Sequence, residues 1–393
     1  MNIGQIDQLI DQYSDELFQK VIPFWMKYSK DKEFGGYFTC LSRNGQVYDT
    51  DKFIWLQARE VWQFAKLYNT VEPKQEWLDM ALHGAKFLHK HGMDDDGNWY
   101  FSLNQKGQPL VQPYNIFSDC FATMAFGQLY KATGLESYAI LAKDTFYSII
   151  ERQNNPKGSY NKIVPGTREL KNFALPMILS NLALEIESLL PETFIKETLD
   201  KVIHEVMHVF YFEDQGLILE NVGPEGQFVD CFEGRLLNPG HAIESMWFMM
   251  DLGEKLKRPD LIDKAVKITL DTLDIGWDKK FGGIFYFMDL KGHPVQQLEW
   301  DQKLWWVHLE TLVALLKGYY HTGDTACWEW FEKVHDYAFK HFSDPEHGEW
   351  FGYLNREGNI LLPLKGGKWK GCFHVPRGLM IALETLQKIK NKA

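Results

Sequence analysis

A glycine preceded by acidic, Asn or Pro residues recurs six times along the 393-residue chain, and this recurrence limits the possible folds more than any other feature. The instances are DKEFGGYF at Gly35, DDDGNWYF at Gly97, NPKGSY at Gly158, EDQGLILE at Gly216, DKKFGGIFYF at Gly282 and DPEHGEWFGY at Gly348, spaced by 62, 61, 58, 66 and 66 residues. A second glycine follows ten residues later at Gly45, Gly107, Gly226, Gly292 and Gly358. Glycine accepts the positive φ of tight turns. Turn, short alternating run, turn reads as a β-hairpin. The third unit departs from the pattern, with GTRE at 166–169.

Two helical stretches separate successive hairpins. The first set covers roughly 4–28, 74–92, 136–153, 193–211, 260–276 and 325–342, and mixes charge with apolar stripes. The second covers roughly 52–69, 114–133, 171–189, 238–256, 300–321 and 371–391, and is apolar almost all round, as in LWWVHLETLVALL. Helices of the second kind are buried and those of the first face solvent. Six outer and six inner helices, with every hairpin preceding an inner helix, predict an all-α (α/α)6 barrel with short β-hairpins at one end. No composition break marks a linker, so residues 1–393 read as one domain.

Composition narrows the function. The formal net charge of −11 argues against a nucleic-acid partner. No apolar run approaches the roughly 18–20 residues of a membrane helix. The start, MNIGQIDQLIDQYSDELFQK, lacks the basic and apolar regions of a signal peptide. Five scattered cysteines without a CxxC spacing suit a reducing compartment, and a cytoplasmic protein is expected. The 27 Phe, 17 Tyr and 14 Trp give a burial capacity incompatible with disorder.

A ring of inner helices leaves a funnel at its axis, lined by their first turns and by the hairpins. Counted from the repeat glycine, Arg59 lies at +24, His241 at +25, and His308 and His374 at +26. Four units thus place a cationic or titratable residue at an equivalent position, which reads as a site rather than as a set of core histidines. Glu244 follows His241 by three residues and Arg377 follows His374 by three, so each shares a helical face with its histidine. Glu310, two residues after His308, points elsewhere. Lys303 precedes Trp306 by about one turn. Asn238 and Pro239 read as an N-cap and first helical residue, placing His241 in a first turn, where a developing anion is stabilised.

The segments FWMKYSKDKEFGGYFTCLSRNGQVYD, KFIWLQARE, NPGHAIESMWF, GWDKKFGGIFYF, QLEWDQKLWWVHLETL and DPEHGEWFGYLNREG, followed by KGCFHVPRG, resemble the N-acylglucosamine 2-epimerase family over almost the whole chain. The resemblance implies an (α/α)6 barrel and interconversion of N-acetylglucosamine and N-acetylmannosamine. It implies that His241 in NPGH and His374 in FHVPR transfer protons, with Arg59 in LQARE and Glu310 in WVHLE as further catalytic residues. Glu244, Lys303, Trp306, His308 and Arg377 are expected to bind substrate. No cofactor or metal is required, ATP is implied as an activator, and a homodimer is expected. Related cellobiose 2-epimerases carry a His-rich third inner helix; here it reads FALPMILSNL, with Met177 and Leu179. This favours an amino sugar as the small-molecule partner. Alternatives are a mannose or disaccharide epimerase, a glycoside hydrolase built on two facing carboxylates, and a non-catalytic binding role.

The chemistry explains the residue types. The C2 proton of an aldose becomes removable in the open-chain aldehyde, whose carbonyl oxygen takes up the charge. Arg59 suits as donor to that oxygen because it stays charged. Inversion needs removal on one face and return on the other, and two histidines with ordinary pKa about 6.5 can do both near neutrality. His204-Glu205-Val206-Met207-His208 matches the HExxH zinc motif. It is read as the polar face of an outer helix whose buried stripe is Ile195, Leu199, Val202, Val206 and Phe210. The Gly- and Lys-rich KGGKWKG at 365–371 lacks the spacing and the Ser/Thr of a phosphate loop.

Overall fold

The structure is a computed structural model describing residues 3–164 and 166–392. Helices alternate as the repeat predicts. α1 (Ile3–Asp15) passes through a π-turn, Glu16–Val21, into α2 (Ile22–Tyr28). Then come α3 (Ile54–Thr70), α4 (Gln75–His91), α5 (Ile116–Thr133), α6 (Glu136–Arg152), α7 (Ala174–Glu185) and α8 (Glu192–His204). The chain ends with α9 (Pro239–Leu256), α10 (Pro259–Gly276), α11 (Trp305–Thr322), α12 (Thr325–His341) and α13 (His374–Lys392).

α3, α5, α7, α9, α11 and α13 form the inner ring, each packed on the next. α4, α6, α8, α10 and α12 pack outside them, and α1 covers α13. The ring closes between its last and first members, where the Phe373 and Trp62 rings meet edge to face at 5.3 Å. Sequence explains the two layers. Every residue from Trp305 to Leu316 of α11 is buried, whereas α12 buries only a stripe of Cys327, Trp328, Phe331, Val334, Tyr337 and Ala338. Among the described residues no helix is long and apolar enough to cross a membrane.

The repeat glycines behave as their pattern predicts, with φ of 84°, 81°, 52°, 71°, 77° and 81° in chain order. The hairpins differ from expectation in their pairing. Strands 102–103 and 109–111 form the expected hairpin, but 102–103 also pairs with 52–53, which leads into α3. Likewise 353–354 pairs with both 360–362 and 303–304, 221–222 pairs with 171–172, and 288–289 pairs with 236–237. A bridge between Ser42 and Leu364 joins the last unit to the first. The entry to an inner helix is therefore stitched to the hairpin of the following unit. Strands of two or three residues are too short for alternation to reveal their partners. The third unit has a 3-10 turn at Gly158–Tyr160 in place of a hairpin, and α7 is shorter than the expected 171–189. The expected outer helix 193–211 divides into α8 and a π-turn, Glu205–Val209.

Candidate active site

The stitched ends of the inner helices surround a cavity of about 510 Å³, within the range that takes small ligands. Arg59, His241, Glu244 and His374 line it together with Trp55, Phe121, Met177 and Trp306. The repeat count thus located the funnel and three of its four phase-matched residues.

His241 sits in the first turn of α9. Asn238 caps that helix, its Oδ1 accepting the His241 N–H at 3.1 Å, and Pro239 supplies a first position that needs no N–H. Nδ1 of His241 donates to Glu220 Oε1 at 2.7 Å. His374 is the first residue of α13, and its Nδ1 donates to Glu310 Oε1 at 2.7 Å. With each Nδ1 engaged, Nε2 is the nitrogen that each ring offers to the cavity. The Trp306 indole lies against both imidazoles, with centroids 5.4 Å from His241 and 5.7 Å from His374. Gly240 makes this approach possible: a Cβ there would meet Trp306 Cη2 at 2.6 Å.

Arg59 is wedged among aromatic faces, its guanidinium carbon 3.9 Å from the Phe121 centroid and 4.5 Å from those of Trp55 and Phe373. Its Nε has no partner among the described residues. Burial pulls its pKa down and the nearby Arg377 adds to this, opposed by Glu244 and Glu310. A guanidinium still stays charged at neutral pH. It is a donor held at the cavity wall at an electrostatic cost.

Arg377 was expected to bind substrate and Glu310 to act as a further catalytic residue; both stand behind His374 and do not line the cavity. Glu310 accepts from Trp247 Nε1 at 2.9 Å and Arg377 Nη2 at 2.7 Å, besides His374. Arg377 also pairs with Glu244. Glu310 therefore orients a histidine, and Arg377 balances two carboxylates. Glu244, Glu310 and His374 form the one potential metal-ligand trio among the described residues, with ligand atoms within 4.8 Å of one another. Both carboxylates are already bonded to the Arg377 guanidinium, which supplies the positive charge that they require.

Two other expected residues lie outside the cavity. His308 is fully buried: Nδ1 donates to Leu304 O at 2.7 Å, Nε2 accepts from Ile284 N–H at 3.1 Å, and the ring stacks on Tyr337. Burial pushes its pKa down to about 3. It is a core histidine locking a hairpin to α11, although it shares the +26 phase of His374. Lys303 is also fully buried, with Nζ 3.2 Å from Asp278 Oδ2. This is a structural lock that recurs as Lys52–Asp31 and Lys365–Asp344, each Asp lying four residues before a repeat glycine. Lys303→Met is expected to lower unfolding free energy by about 2 kcal/mol in denaturant titration, because buried Asp278 loses one charged partner while keeping Arg356 at 2.9 Å, with kcat of the folded fraction unchanged.

The HExxH segment lies on the outer layer, with Glu205 paired to Lys171 and the His204 and His208 rings stacked at 5.4 Å. His204→Ala is expected to leave turnover intact in a steady-state assay. Sequence reasoning missed Glu220 and Trp247, which bond His241 and Glu310 respectively. Glu220 left one signal: a lone carboxylate after Leu217-Ile218-Leu219 in the repeat hairpin.

Comparisons with known proteins identify the family. The family model described as N-acylglucosamine 2-epimerase (GlcNAc 2-epimerase) matches residues 36–375. The chain belongs to the N-acylglucosamine 2-epimerase family. It is 39% identical to N-acylglucosamine 2-epimerase of Mus musculus, over 95% of this chain and 90% of that one. For the Homo sapiens enzyme the figures are 38%, 93% and 88%. Cellobiose 2-epimerase of Bacteroides fragilis is 26% identical, over 94% of this chain and 97% of that one. Among solved structures, cellobiose 2-epimerase from Bacillus thermoamylovorans superposes with a TM-score of 0.83 at 19% identity, covering 96% of this chain and 99% of the other. This likeness shows that the epimerase family member has the (α/α)6 fold expected from its repeats.

Proposed function

We propose that this isomerase interconverts N-acetyl-D-glucosamine and N-acetyl-D-mannosamine by removing and returning the proton at C2. The carrying observation is the pair His241 and His374, set against one indole at the wall of one cavity, each with Nδ1 tied to a carboxylate. The sugar reacts as its open-chain aldehyde. One imidazole Nε2 takes the C2 proton while the C–H electron pair moves toward the carbonyl oxygen. Arg59 donates to that oxygen, and its aromatic surroundings strengthen the interaction by excluding water. The other imidazole then returns a proton to the opposite face. A proton removed and a proton returned need no redox partner or activated group, so no cofactor enters the reaction.

ATP as activator rests on the family resemblance alone. In the Lys-rich segment 365–371, Lys365 is paired with Asp344 at 2.8 Å and Lys370 with Glu349 at 2.7 Å, both buried, and Lys368 is exposed.

The identity to N-acylglucosamine 2-epimerases exceeds that to cellobiose 2-epimerases, and α7 presents Ala174, Met177 and Ile178 to the cavity as an apolar wall. Both support an N-acyl sugar over a disaccharide. A hydrolase would need one protonated and one ionised carboxyl facing the bond on both sides. Glu244 and Glu310 instead share one guanidinium, and Glu310 does not line the cavity.

Incubation with N-acetylglucosamine in heavy water tests the reading. The expected product is N-acetylmannosamine carrying deuterium at C2, detected by NMR. Preferential turnover of cellobiose or mannose would replace it with the runner-up.

A further inference from the structure

We infer that Glu220 is a positioning residue that holds His241 in the proton-donating form, so that the resting site presents His374 as the base to one epimer, the other epimer reacting with the two roles exchanged. The inference rests on the epimerase reading above and assigns unequal roles within it.

The two histidine–carboxylate contacts look alike but differ in charge. Glu310 divides its oxygens among His374, Arg377 and Trp247. Around His374 the carboxylates of Glu310 and Glu244 are matched by the guanidinium groups of Arg377 and Arg59, so a proton on His374 would be a surplus cation in a buried place. Glu220 is only 6% exposed, and among the described residues it forms no ion pair with a lysine or arginine. Both its oxygens reach Nδ1 of His241, at 2.7 and 3.1 Å. A buried carboxylate with no other counter-ion holds its partner in the cationic form.

The remaining titratable groups around this cavity are Glu244 on the same helix, His374 on α13, Arg59 on α3, Tyr286 and Glu299 from the hairpin segment ahead of α11, and Tyr353 from the hairpin ahead of α13. The electrostatics agree with the charge count. Burial drives His241 down, but Glu220, helped by Glu244, outweighs it, and the pKa ends above its ordinary value. Burial, Arg59 and Arg377 drive His374 well below its own, against Glu244. Two like groups pushed apart in this way divide the acid and base work.

The proton balance follows. Neutral His374 takes the C2 proton on Nε2, the C–H pair becoming the enolate. The enolate carbon takes the proton from Nε2 of His241 on its other face. One turnover therefore leaves His374 charged and His241 neutral, and exchange with solvent restores the starting form. His241 is a competent donor below its raised pKa and is lost as pH rises through it. His374 is a competent base above its lowered pKa and is lost as pH falls through that value.

Glu220→Gln keeps the shape and removes the charge. It is expected to lower kcat about 10²-fold, leave KM within about threefold, and move the alkaline limb of kcat/KM at least about one pH unit down. Glu220→Asp should recover part of both effects. Titration of ¹⁵N-histidine-labelled wild-type protein, read by NMR without sugar, should show His241 titrating above the ordinary histidine range and His374 below it. A folded Glu220→Gln variant with unchanged kcat and alkaline limb overturns the inference. So does a wild-type His241 that titrates below His374. The titration needs no turnover, so a protein that fails to label C2 refutes the epimerase reading separately.

Discussion

His374→Gln should reduce kcat by about 10³-fold, the middle of the range for a lost general acid–base, with little change in KM. Glutamine can still place an amide near Glu310, and the cavity wall keeps its volume, so the melting curve should stay close to wild type. The loss should persist at every pH, since the variant has no nitrogen at that place that titrates. A rise in KM alone, or a loss that disappears at high pH, would mean that His374 acts through binding or charge instead. Steady-state assays from pH 5 to 10 with a coupled N-acetylmannosamine readout decide between these outcomes.

Arg59→Met tests the other half of the chemistry and predicts opposite signs for two observables. The donor to the developing oxyanion is lost, which should cost about 10²–10³-fold in kcat. Arg59 is also a buried cation lodged among Trp55, Phe121 and Phe373, and among the described residues no carboxylate pairs with it. Methionine fills similar space without that desolvation. The variant should therefore be as stable as wild type or more stable by about 1 kcal/mol. Activity and stability falling together in thermal and kinetic assays would assign Arg59 to structure rather than to catalysis.

The fold was legible because its signal is repeated. Six turn glycines at near-constant spacing, with charged outer and apolar inner helices between them, leave few architectures open. The pairing of strands across units was hidden because two-residue strands carry no alternation. The site was partly legible for the same reason: a shared phase from the repeat glycine brought Arg59, His241 and His374 into one cavity. The same phase misassigned His308. It shares the +26 phase of His374, but it is the fourth residue of α11 whereas His374 opens α13, and its ring turns to the hairpin backbone, where Ile284 and Leu304 engage both nitrogens. Lys303 looked like a ligand for sugar oxygens because a lone lysine beside tryptophan gives no hint of an aspartate 25 residues earlier. Arg377 had the right neighbourhood but the wrong layer, and Glu310 reaches the cavity only through His374. Helical spacing tells which residues share a face, not which of them stands in front.

The claim underlying all of this is that His241 and His374 serve opposite faces of C2. The direct measurement is C2 hydrogen exchange without inversion in single variants. His241→Gln and His374→Gln are each incubated in heavy water with N-acetylglucosamine and, separately, with N-acetylmannosamine, and the recovered sugars are examined by NMR. Each variant keeps one base, so each should label one epimer at C2 without converting it, and the two variants should label opposite epimers. If both variants label the same epimer, the two imidazoles act from one side and the account is contradicted.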